Sequence, residues 1–138
     1  MAENKFKRII LKLSGEAMAG SKGFGIDPET VMSLAKQIKE VVDQGLEVGI
    51  VNGGGNIWRG LSGSRKGMNR ATADYMGMLA TVMNCIYVSE IFRSVGMGTE
   101  TFTPFQCAAF RLLLVPPWCR SFWLIFRGFC VRFRKMTR

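Results

Sequence analysis

The chain contains no histidine. That absence excludes Ser-His-Asp and Cys-His triads, H-E-x-x-H metal sites and every histidine general base. Cys85, Cys107, Cys119 and Cys130 show no C-x-x-C spacing, so they do not form a zinc site. No G-x-x-x-x-G-K-[ST] loop occurs, no G-x-G-x-x-G opens the first helix, and the H-R-D and D-F-G pair of protein kinases is missing. The start, MAENKFKR, lacks the apolar core of a secretory signal, and a reducing cytoplasm is the expected compartment. Acidic residues are missing from one region only. Residues 1–110 hold 12 Lys and Arg against 10 Asp and Glu, whereas residues 111–138 hold 7 against none. The net charge of +9 therefore belongs mainly to the end of the chain and does not argue for nucleic-acid binding by the whole.

What is present centres on residues 46–60, LEVGIVNGGGNIWRG. Leu46, Val48, Ile50 and Val51 make the near-continuous apolar run of a strand covered on both faces of a parallel sheet. Gly53, Gly54 and Gly55 then remove three successive side chains, which lets backbone N–H groups approach a ligand and surround an anion such as phosphate. Arg59 adds a planar cation of matching geometry. A flexible glycine linker is the plain alternative, but the strand before it and the Asn-Ile-Trp-Arg after it are not linker composition.

Residues 6–13 predict a first strand, in which Ile9, Ile10, Leu11 and Leu13 supply apolar bulk. Lys12 near its end is either a snorkelling edge lysine or a cation at the carboxyl end of a central strand, where open α/β sheets bind ligands. Ser14 and Gly15 begin a turn. Residues 19–27 form a glycine-rich loop, and Asp27-Pro28 starts a helix whose apolar face is Val31, Leu34, Ala35, Ile38, Val41 and Val42. Lys36, Lys39, Glu40 and Asp43 take its solvent side, and Gly45 ends it. The two strands and this helix make a βαβ unit, expected to be right-handed. Residues 62–67 are a basic loop. A second helix is expected from about Thr72 to residues 94–96, with Ala73, Met76, Ala80, Met83 and Tyr87 as its core stripe, Leu79, Val82 and Ile86 beside it, and its methionines as core filler. Asp74 falls in its first turn, a favourable place for a negative charge. Residues 97–103 predict a third strand, ended by Pro104.

Lys12 to Gly15 and Gly53 to Asn56 should open at one edge of a parallel sheet. Two backbone anion sites with Lys12 and Arg59 suit a polyphosphate lying between two bound ligands, which is what phosphoryl transfer needs. Four motifs carry a resemblance: Lys-Leu-Ser-Gly-Glu-Ala at 12–17, Gly-Phe-Gly-Ile-Asp at 23–27, Gly-Gly-Gly-Asn-x-x-Arg-Gly at 53–60 and Met-Asn-Arg-x-x-x-Asp-Tyr-Met-Gly-Met-Leu-Ala-Thr-x-Met-Asn at 68–84. In this order they resemble the bacterial uridylate (UMP) kinases, of the amino-acid kinase (carbamate kinase-like) fold, over about residues 5–109. The resemblance implies an α/β protein of three αβα layers with a mainly parallel sheet, here truncated. It implies transfer of the ATP γ-phosphate to UMP with Mg²⁺ in cytoplasmic pyrimidine nucleotide synthesis. It also implies that Lys12, Leu13, Ser14, Gly15, Gly55 and Arg59 hold ATP, with Lys12 catalytic, and that Gly54 and Asp74 contact UMP. Gly20, Ser21, Lys22, Gly23, Phe24 and Gly25 correspond to the segment tied to GTP activation, and homohexamers are the family's assembly.

Family members are nearly twice as long, and their second half carries a Thr-Gly-Asn-Pro-type loop and the ATP base pocket. This chain is accordingly expected to be poorly folded alone, with little or no activity of its own. Residues 111–138 match nothing in the family. They hold six of the fifteen aromatic residues and no Asp, Glu, Asn or Gln, and read as a basic aromatic tail not shaped together with the domain 1–110, as a shifted reading frame past about Phe110 would produce. Arg120, Arg127 and Arg132 argue against a membrane span there. The alternative function is a fragment that binds a membrane surface or nucleic acid through this tail without catalysis. A sister enzyme of the same fold acting on a carbamoyl or carboxyl group is a third reading, disfavoured by Asp74 and the 68–84 segment.

Overall fold

The computed structural model describes residues 6–59 and 67–103 and two strand segments, 113–114 and 129–135. The expected basic loop at 62–67 lies almost wholly outside the described residues. In chain order the elements are β1 (Arg8–Leu13), α1 (Gly15–Met18), a 3-10 turn (Gly20–Lys22), α2 (Pro28–Asp43), β2 (Glu47–Asn52), α3 (Arg70–Ser94), β3 (Met97–Thr103), β4 (Leu113–Leu114) and β5 (Phe129–Lys135).

They build an α/β fold on one sheet of order β1-β2-β5-β3-β4. β1 and β2 are parallel, with Arg8 opposite Glu47 and Leu13 opposite Asn52, so both strands end at the same level. The intervening α2 makes this the expected βαβ unit. β3 and β4 are also parallel, whereas β5 runs antiparallel to β2 on one side and β3 on the other. Part of the stretch that composition sets apart thus pairs within the sheet. Of the two readings of Lys12, the strand order favours the edge lysine over the cation on a central strand. Among the described residues β1 is an edge strand, and Lys12 is exposed there. Ile10 and Leu11 are exposed for the same reason.

α2 forms as its sequence dictates. Asp27 caps it by accepting from Thr30 N at 3.0 Å, and Pro28 begins it with a fixed φ and no N–H to leave unpaired. Val31, Ala35, Ile38 and Val42 are buried, with Leu34 and Val41 packed at the margin. Gly45 takes φ 91° and donates to Val42 O, closing the helix.

α3 departs from expectation. It begins at Arg70, capped by Asn69 through Ala71 N at 2.9 Å, so Asp74 lies just beyond its first turn. Its buried face is Ala73, Ala80, Thr81, Val82, Asn84, Cys85, Val88, Ser89 and Phe92. Of the expected stripe, Ala73 and Ala80 are buried and Tyr87 packs against the core, but Met76 and Met83 face outward. Met83 and the neighbouring Leu79 are each 56% exposed, so neither is core filler. The apolar residues run nearly all round α3, and the polar Thr81, Asn84 and Ser89 occupy the inner side. No amphipathic period therefore marked the correct face. By length and composition α3 is apolar enough to cross a membrane, but its inner face joins Val48 and Ile50 of β2 and the α2 stripe in one core cluster.

Candidate functional site

The ends of β1 and β2 carry the two turns the sequence singles out, and the structure brings them into contact. Gly53 N donates to Leu13 O at 3.2 Å, so the second turn is tied to the end of the first strand. Ser14 caps the short α1 by accepting from Ala17 N at 3.2 Å. Gly15, at the start of α1, is buried against the backbone of Gly55 and Asn56. Gly54 is likewise buried, pressed on α3 at Gly77 and Thr81. Ile57 N and Trp58 N both donate to Gly54 O at 3.0 Å and curl the turn. Among the described residues, the N–H groups of Gly54, Gly55 and Asn56 find no backbone acceptor. Gly55 is exposed, whereas Gly54 and Asn56 are buried, so Gly55 is the part of this run of donors that faces solvent; successive backbone N–H groups of this kind can bind anions.

Charge surrounds it unevenly. Lys12 is exposed and has no ion pair among the described residues. Arg59 pairs with Glu16, both more than half exposed. Asp74 accepts from Arg70 Nε through both carboxylate oxygens, at 3.0 and 2.9 Å. The start of α3 is brought to the same sheet end by Trp58, whose Nε1 donates to Ala73 O at 2.9 Å. Asp74 therefore follows the residue that the glycine turn grips.

The 20–25 loop also reaches this site. Gly20, Gly23 and Gly25 all take positive φ, which lets the chain turn back on itself. Gly25 N donates to Asn56 O at 2.9 Å, and Asn56 Nδ2 donates to Gly25 O at 2.6 Å. Phe24 is exposed at the tip. Below it, Asp27 has its pKa lowered. The largest cause is the Thr30 hydroxyl donating at 2.6 Å, followed by Thr30 N and the nearby Lys22.

Among the described residues no group of three or more carboxylates and thiols could hold a metal ion. Mg²⁺ in nucleotide sites usually takes one or two carboxylates together with substrate phosphates, so such a cluster is not what it needs. Sequence reasoning missed Asn56, Thr81 and Asn84, which support the glycine turn, and Glu16, Trp58 and Arg70, which engage Arg59, the start of α3 and Asp74. Glu16, Asn56, Arg70, Thr81 and Asn84 all stood in the quoted motifs without a role, and Trp58 fell between motif positions.

Known proteins resemble the chain in sequence and in fold. Residues 7–120 match the profile of the amino acid kinase family. A uridylate kinase of Limosilactobacillus reuteri (strain DSM 20016) is 53% identical over 106 residues, which are 77% of this chain and 44% of that protein. The crystal structure of a UMP kinase from Bacillus anthracis superposes with a TM-score of 0.69 at 30% identity, covering 86% of this chain and 49% of that one. A UMP kinase from Ureaplasma parvum gives 0.71 at 28% identity, covering 86% and 52%. The chain thus spans about half the length of the relatives it matches. By its matched profile, its sequence relatives and its fold, it belongs to the amino acid kinase family.

Proposed function

We propose that the chain is the amino-terminal portion of a uridylate kinase, which transfers the γ-phosphate of ATP to UMP and releases ADP and UDP. The observation that supports this most is the junction of the two turns. Gly15 lies against Gly55 and Asn56, beside donors with no backbone acceptor, as a shared polyphosphate site requires. In such a transfer a UMP phosphate oxygen attacks the γ-phosphorus, and the bond to the bridging oxygen of ADP breaks. The protein contributes alignment and neutralisation of charge.

Lys12, Leu13, Ser14, Gly15, Gly55 and Arg59 take the ATP side in this reading, with Lys12 as the cation closest to the transferred group. The exposed pair of Arg59 with Glu16 is weak enough to be exchanged for phosphate. Gly54 and Asp74 take the UMP side. Mg²⁺ would arrive with the ATP phosphates and supply further charge neutralisation. The 20–25 loop is the proposed GTP-responsive segment. Cytoplasmic location, homo-oligomeric assembly, a kinase unit at 1–110 followed by a 111–138 tail that pairs back into its sheet, and low activity of this chain alone belong to the same proposal. The relatives lend no support to a tail-driven binder.

Calorimetric titration of the full chain with ATP and with UMP tests the assignment. Both ligands should bind, Lys12→Met should weaken ATP at least tenfold, and UMP affinity should change little. Binding of neither nucleotide, or unchanged ATP affinity in Lys12→Met, would overturn it.

A further inference from the structure

Two asparagines, one on α3 and one in the glycine turn, form a closed amide pair. Asn84 is fully buried and Asn56 is 1% exposed. Asn84 Nδ2 donates to Asn56 Oδ1 at 2.7 Å, and Asn56 Nδ2 donates to Asn84 Oδ1 at 3.2 Å. The second donor of each amide goes to a loop carbonyl. Asn84 Nδ2 reaches Gly53 O at 2.7 Å, and Asn56 Nδ2 reaches Gly25 O at 2.6 Å. Both side chains thus use both of their donors and accept at their oxygens.

A buried amide costs free energy unless every polar atom is met, and an apolar residue would fill position 84 without that demand. What the amide provides is a fixed distance between three segments. α3 carries Asn84, the glycine turn carries Gly53 and Asn56, and the 20–25 loop hangs from Asn56 through both its N–H and its carbonyl. Among the described residues the side chain of Asn84 hydrogen-bonds to Asn56 and Gly53 and not to Gly25, so its effect on Gly25 passes through them.

We propose that Asn84 is a positioning residue. Through Asn56 it locks the 20–25 loop to the glycine turn, so that anion occupancy at the turn is felt at Gly25. The lock itself stands on the hydrogen bonds. Only the anion-dependent part rests on the phosphate reading above.

Amide hydrogen exchange on the full chain tests both parts, comparing wild type with Asn84→Ala, without ligand and with sodium tripolyphosphate. Without ligand, Gly25 N–H should exchange about tenfold faster in Asn84→Ala, as loss of its support to Asn56 implies, while the interior amides of α2 stay within twofold. Tripolyphosphate should slow exchange at Gly55, Asn56 and Gly25 in wild type, and the Gly25 response should vanish in Asn84→Ala. Unchanged Gly25 exchange in the variant overturns the lock. Equal acceleration throughout α2 also overturns it, because Asn84 would then serve only global stability. If tripolyphosphate leaves Gly55 and Asn56 unaffected in wild type, the phosphate reading and the anion-dependent part fail together. The ligand-free comparison still decides the lock. A double variant, Asn56→Ala with Asn84→Ala, should exchange at Gly25 no faster than Asn56→Ala alone, since both act through one connection.

Discussion

Gly54 and Thr81 leave no space between them. A Cβ on Gly54 would lie 2.7 Å from Thr81 Oγ1, 2.8 Å from Thr81 N and 2.9 Å from Gly77 O. Two of those three atoms are helix backbone and cannot step aside. Gly54→Ala should therefore destabilise the chain by about 1–3 kcal/mol, as overpacking does, read as a lower midpoint in urea. UMP affinity should fall with it, since the turn must leave α3 to accommodate the methyl group.

Gly15→Ala should act on binding more than on stability. Its Cβ would strike Asn56 Oδ1 and lie 2.9 Å from both Asn56 N and Gly55 N, so the two turns must part. ATP affinity by calorimetry should fall at least tenfold. Gly53→Ala is the internal control, because its Cβ would meet only Gly15 N at an ordinary 3.5 Å. That variant should retain most of the ATP affinity.

Asp27 gives a pH dependence of known sign. Its carboxylate is stabilised first by the Thr30 hydroxyl, then by Thr30 N, with a smaller contribution from Lys22, so its folded pKa lies below the ordinary value. A depressed carboxylate adds stability that is complete above the unfolded pKa, about 4, and is lost as pH falls through the lower folded value. Asp27→Asn keeps a capping oxygen but cannot titrate. Denaturation from pH 7 to pH 2 should show wild type losing stability relative to Asp27→Asn below about pH 4. A constant difference across that range would remove Asp27 as a contributor.

The two sides of α3 should respond in opposite ways. Leu79→Gln and Met83→Gln, on the exposed side, should change stability by less than about 0.5 kcal/mol. Phe92→Ala, on the buried side, should cost about 3–5 kcal/mol. A large loss from Met83→Gln would restore the methionine stripe as core.

The contrast between α2 and α3 shows what the sequence could disclose. In α2 the cap, the proline and an apolar face with a clear period all name the same helix, and the structure buries four of its six expected face residues, with Leu34 and Val41 at the margin. In α3 the inner side must meet glycine backbone as well as apolar strand. Thr81 and Asn84 face the turn, while Leu79 and Met83 are left outside. Hydrophobic period follows burial in an apolar core and misplaces a helix whose buried face is partly polar. The turns were legible because glycine clusters after strands have few other uses. That Gly15 would meet Gly55 and Asn56 followed only from the parallel register of β1 and β2, which ends both strands together. The pairing of Arg59 with Glu16 depends on side-chain reach, which no spacing rule supplies, whereas Arg70 and Asp74 stand at the i,i+4 spacing that a helix brings together.

The central claim is that two backbone turns form one anion site. Nuclear magnetic resonance titration of the full chain with ATP measures it directly. The amide signals of Gly15 and Gly55 should move together and saturate at one ATP concentration, while Gly45 and Gly96, in turns elsewhere, stay in place. Signals of Gly15 and Gly55 that do not respond, or shifts confined to residues 111–138, would contradict it.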